Sequence, residues 1–165
     1  MLRTASSALT QAAAAKGWAP DTEWFASDRD GHVAVFSTAG LGPLPARAIA
    51  DPPGHVAVWE AFEVLGMPMG LGELDFTDLA VGPRVGAFAF DYSGLHGPYG
   101  RYAPRQPYRR VGTPQGPVTV RQLSAEARAF LAGVCFRDIS FADVDSLVVE
   151  DMFESIHRPT MWDPD

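Results

Sequence analysis

The chain has 165 residues, 47% of them hydrophobic and 20% charged, with a net charge of −7. That suits one globular domain with a real core, leaves no apolar run near the roughly 18 residues a membrane crossing needs, and argues against general affinity for nucleic acid. The one cysteine, Cys135, excludes a disulfide framework and a thiolate metal cluster.

In chain order, residues 4–16 predict a helix, with Thr4 as cap, a small apolar stripe of Ala5, Ala8, Leu9, Ala12 and Ala13, and Gly17 as stop. Polar residues break any secretory core there, so the reading is an amphipathic helix of a cytoplasmic protein. Glu23–Ser27 and His32–Thr38 predict two strands, alternating most clearly in HVAVF, joined by the turn Asp28-Arg29-Asp30-Gly31. Pro43 and Pro45 introduce a short helical ARAIA segment that stops at Asp51-Pro52-Pro53. A stronger helix is expected from Gly54 to Leu65, with Val58, Trp59, Phe62 and Leu65 on one face.

GMPMGLG then reads as a loop and Arg84–Tyr92 as a strand. Residues 93–115, rich in Gly, Pro, Tyr and Arg, predict a long loop. A helix follows over Ser124–Ala132, then short strands near Val134–Phe136 and Ser146–Val149, and an irregular tail from Glu154 to Asp165. The whole predicts a single α+β domain with a mostly antiparallel sheet and about three helices.

Charge is zoned. Ala48–Pro83 holds six acids and no base, Arg84–Arg137 holds eight arginines against two acids, and Asp138–Asp165 holds eight acids against Arg158. In the basic middle, Tyr99, Arg101, Tyr102 and Arg105 interleave rings with cations. This is a composition found in single-strand nucleic-acid grooves, in protein-interface anchors, and in arginines that neutralise a protein's own acids. The net charge favours the last two accounts and makes Tyr99, Arg101, Tyr102 and Arg105 a candidate loop for a small molecule or peptide. The acidic stretch carries Asp143, Asp145, Glu150, Asp151 and Glu154. It reads either as a solvated face or as a docking surface for a basic partner, with steering of the encounter.

No catalytic or metal motif stands out. The DRDG turn fails calcium-loop spacing, because Gly31 directly follows the second acid. GLGP lacks the lysine of a phosphate loop and has Pro43 where a donor is wanted. The four histidines are scattered, and Asp91, Ser93 and His96 form only a nominal triad. Cys135 in GVCF reads as an inert core residue. Neither a cofactor nor an enzymatic activity is expected.

WFASDRDGHVAVFSTAGLGPLP resembles the N-terminal signature of small bacterial immunity proteins of polymorphic toxin systems: an aromatic strand, a D-x-x-G turn, a second aromatic strand, then small residues and proline. YRRVGTPQGPVTVRQLSAEARAFL is similar to a later segment of the same proteins, with Ser124 where proline is expected. The likeness spans about half the chain and transfers no catalytic residue. It implies an α+β domain that binds and blocks a cognate protein toxin, often a nuclease or another basic enzyme, which suits the acidic blocks.

Overall fold

The structure, a computed structural model, describes residues 22–40, 42–71, 73–92 and 105–157. The predicted helix over 4–16 lies outside them. Strands β1 (Glu23–Asp28) and β2 (Val33–Ser37) form the predicted hairpin, with Trp24 opposite Phe36 and Phe25 opposite Val35. Next come β3 (Leu44–Pro45), α1 (Ala46–Ala50) and α2 (Pro52–Gly66). Helix α2 opens on two prolines, whose missing donors cost nothing in a first turn, and on Asp51, whose carboxylate accepts from the Gly54 N–H. The order continues with α3 (Val81–Arg84), β4 (Phe88–Asp91), β5 (Tyr108–Gly112), α4 (Ala125–Gly133), β6 (Cys135–Phe136), β7 (Ser146–Leu147) and β8 (Ile156–His157).

The main sheet runs β6-β1-β2-β4-β5-β7, and β3 pairs with β8 separately. It is a mixed sheet and not the mostly antiparallel one predicted, because β1 runs parallel to β6 and β2 parallel to β4. Parallel neighbours need a crossover, and α1, α2 and α3 lie within the one between β2 and β4. Four α-helices occur among the described residues, where about three were predicted.

Three boundaries also shift. The strand expected from Arg84 starts only at Phe88, because Gly86 takes a φ of +96° in a turn that bonds Ala87 N–H back to the Gly82 carbonyl. Residues 108–112 of the predicted long loop are β5, paired with β4 and β7. In the predicted irregular tail, Ile156 and His157 pair with Pro45 and Leu44.

Alternation sends Phe25, Val35 and Ala89 to one face of the sheet and Trp24, Phe36, Phe88 and Phe90 to the other. On the first face Phe25 meets Trp59 and Phe62 of α2, and Phe76 beyond it, at ring distances of 5.2–6.4 Å. On the second, Phe36 stacks on Phe90 at 5.0 Å and meets Tyr108, Phe136 and Phe141. That face is roofed by the chain from 137 to 153, a strap with little regular structure. The GLGP loop is a close approach: a Cβ on Gly42 would strike the Tyr108 hydroxyl and the Tyr92 ring. The Tyr108 hydroxyl donates to the Pro43 carbonyl at 2.8 Å and accepts from the Trp24 indole at 3.3 Å.

Candidate functional site

The Asp28–His32 turn is the densest polar cluster of the described chain. Gly31 has a φ of +81°, and its N–H closes the turn on the Asp28 carbonyl at 3.1 Å. The Asp28 carboxylate is fully buried. One oxygen accepts from the Asp30 and His32 N–H groups at 2.9 and 2.8 Å. The other accepts from the Phe141 N–H at 2.7 Å and faces the His32 ring at 3.2 Å. Donor atoms of Asp28, Asp30 and His32 lie within 4.8 Å of one another, close enough to surround a cation. Asp28 already spends both oxygens on backbone donors, so the cluster is explained as a turn that also fastens Phe141 of the strap.

Three arginines fasten the rest of that strap. Arg29 reaches Asp143 at 3.3 Å. Arg110 donates to the carbonyls of Phe141 and Ala142 at 2.9 and 3.1 Å and to Asp145 at 2.8 Å. Arg105 grips Asp151 with both terminal nitrogens, and its N–H donates to Glu150 at 3.2 Å. Of the five acids read as a docking surface, Asp143, Asp145, Glu150 and Asp151 thus contact the chain's own arginines. Glu154 lines a recess of about 500 Å³ together with Arg47, Cys135, Arg137 and Asp138. Asp143 and Asp145 stay open to solvent, with side chains 69% and 96% exposed. Of the candidate loop Tyr99, Arg101, Tyr102 and Arg105, only Arg105 is described, and it is the arginine bound to Asp151.

No family model matches the chain, and neither curated proteins nor solved structures yield a match to it. What the chain can do therefore rests on its own geometry.

The acidic stretch between Ala48 and Pro83 is built differently. Trp59 donates its indole N–H to the Leu74 carbonyl, and Leu74 N–H donates to Glu63. The segment after α2 therefore runs back beside the helix, placing exposed Glu73 and Asp75 along its flank. At the helix end, Val64, Met67 and Met69 are 64%, 61% and 53% exposed. Beside them Leu65, Met69, Pro83, Val85 and Val118 line a recess of about 580 Å³ together with Arg84. Sequence reasoning passed over these apolar residues. The available signal was that Val56, Ala57 and Val64 fall off the Trp59/Phe62 face of α2, among Glu60 and Glu63, with Met67 and Met69 directly after the helix.

Two groups with reactive potential are structural. His55 on α2 is 2% exposed, packed against Phe25 at 5.2 Å, and neither ring nitrogen has a hydrogen-bond partner. Burial pushes its pKa down to about 4, against a smaller opposing pull from the Asp51 carboxylate. Cys135 is half-buried and pairs in register with Ser27, whose hydroxyl bonds Leu131 of α4. Alternation therefore points Cys135 to the helix side and Asp28 and His32 to the other, so the three do not form a catalytic set.

Proposed function

We propose that the chain is a non-enzymatic, immunity-type protein that binds a cognate bacterial toxin through an acidic surface and blocks it. The observation that carries this reading is the charge excess of the strap. Asp138 to Glu154 holds six acids; among the described residues Arg29, Arg105 and Arg110 form ion pairs with three of them, and Arg47 and Arg137 line the recess of Asp138 and Glu154. Asp143 and Asp145 still face solvent, on a strap tied to the aromatic sheet by Asp28 and Arg110. A fixed field of one sign speeds encounter with a basic protein and needs no ordering on binding. The resemblance of the hairpin and of the 108–131 segment to immunity proteins supports the same reading.

The test is co-expression with the toxin encoded by the neighbouring gene, where growth should be rescued. Neutralising Asp143, Asp145, Glu150 and Asp151 to their amides should slow association about tenfold or more at low salt and flatten its salt dependence. Unchanged affinity together with unchanged salt dependence would remove the strap from the contact.

A further inference from the structure

We infer that the C-terminal end of α2 and the methionine-bearing turn after it, Met67–Met69, with their acidic flank, form the apolar centre of the contact with a basic protein partner. This rests on the binding reading above and names a surface for it away from the strap. Four large hydrophobic side chains are strongly exposed among the described residues, and three of them, Val64, Met67 and Met69, fall within six positions. Single exposed apolar residues are ordinary, whereas a contiguous group beside a recess marks a place that a partner covers. Glu60, Val64 and Met67 stand at spacings of four and three residues and so share one outward side of the helix.

The charge pattern decides the occupant. Exposed Glu60 stands on the same side as Val64, and exposed Glu73 and Asp75 flank Leu74, which is bonded to Trp59 and Glu63 of the helix; against these acids the recess carries one cation, Arg84. A second copy of this chain would bring acids against acids in a two-fold contact, which the repulsion disfavours. A protein segment carrying lysine or arginine around an apolar side chain fits both halves of the surface: the apolar group enters the recess beside Met69 and the cations meet the flank. Methionine suits the task, since its unbranched thioether adapts to the entering group.

The five methionines make the surface readable. Met67 and Met69 report on this end of α2, and Met152 reports on the strap. With the protein carrying ¹³C-methyl methionine, two probes are added in turn: an inactivated form of the neighbouring toxin, and a short synthetic amphipathic helix of leucine and lysine. The Met67 and Met69 methyl signals should shift or broaden with both probes, whereas Met152, on the strap, should respond to the toxin alone. A Val64→Gln/Met67→Gln/Met69→Gln variant, with an unchanged melting curve because these sites are exposed, should bind the toxin about tenfold or more weakly. Asp143→Asn/Asp145→Asn should change that affinity by less than about threefold. A response at Met152 alone, no methyl response to either probe, or wild-type affinity in the triple variant would overturn the inference. The binding reading fails separately, if the unmodified protein neither binds the toxin nor protects cells from it.

Discussion

The stretches Asp51–Asp78 and Asp138–Glu154 carry six acids each, yet the fold uses them in different ways. The first belongs to a region held by apolar packing. Val58, Trp59, Phe62, Leu74 and Phe76 are all buried, and the carboxylates of Asp51 and Glu63 accept from the Gly54 and Leu74 N–H groups. The second crosses an aromatic face with the two-residue strand β7 and one 3-10 turn over Val149–Asp151 as its regular structure. Its backbone is tied down by side chains: Asp28 on Phe141 N–H, Arg110 on two carbonyls, and Arg29 and Arg105 on carboxylates. In the strap arginines bind Asp143, Asp145 and Asp151, whereas in the first stretch Asp51 and Glu63 bind backbone N–H groups and Glu60, Asp75 and Asp78 are exposed. A run of acids in sequence is therefore no guide to which of them meets a partner. What marks the strap is that arginines far away in sequence bind Asp143, Asp145 and Asp151.

The largest effects should come from the buried groups that hold each region. Asp28→Ala strands the Asp30, His32 and Phe141 N–H groups at once. It should cost about 3 kcal/mol in urea unfolding, against a small effect for any exposed acid of the strap. A loss below about 1 kcal/mol would show that the strap is held by its aromatic side chains alone. On the α2 side, His55 supplies a pH-dependent counterpart. Its folded-state pKa of about 4 lies below the ordinary 6.5, so the unfolded chain takes up a proton that the folded chain excludes. Stability is fully present above about pH 6.5 and falls as pH drops toward 4, by about 3 kcal/mol in total. His55→Phe removes this contribution. The stability difference between the two proteins should move by that amount in the variant's favour between pH 7 and pH 4, and a constant difference would refute it.

Arg110→Ala should come next, at about 1–2 kcal/mol, since a half-buried guanidinium loses two backbone carbonyls as well as Asp145. The loss should persist at high salt, because most of it lies in the carbonyl bonds and not in the exposed pair. A loss that vanishes in salt would place the fastening in the carboxylate instead.

How far these roles could be read from the sequence depended on how local their causes are. The hairpin, the Asp/Gly turn, α2 and α4 were legible, because alternation, Gly31, the Asp51-Pro-Pro start and the Ser124 cap act within a few residues. The parallel pairs were not, because β1 meets β6 across more than a hundred positions and nothing near Cys135 marks its neighbour. Tyr108–Gly112 was hidden among the glycines and prolines around it, although Tyr108 is fully buried. For the site, the acids were legible as a group. Their division was not, because the partners of Asp143, Asp145 and Asp151 are arginines 35 to 114 positions away.

The smallest expected effect is also the one that tests this division by sign. Asp143 sits 3.3 Å from Arg29 on an exposed surface, so Asp143→Asn removes a weak attraction and should destabilise by about 0.3 kcal/mol. Glu60 is exposed on α2, three residues before Glu63 and in a stretch without a base. There Glu60→Gln removes repulsion and should stabilise by a similar amount, about 0.3 kcal/mol. Both changes should shrink toward zero in about 1 M salt, where the screening length falls to roughly 3 Å. Repeated urea titrations at low salt can resolve the opposite signs. If both variants lose stability, the α2 flank has its own internal cation, and its acids would then be fastening like those of the strap. If both gain, the strap pairs fail to offset their neighbours, and the strap would be as negative in effect as its sequence suggests.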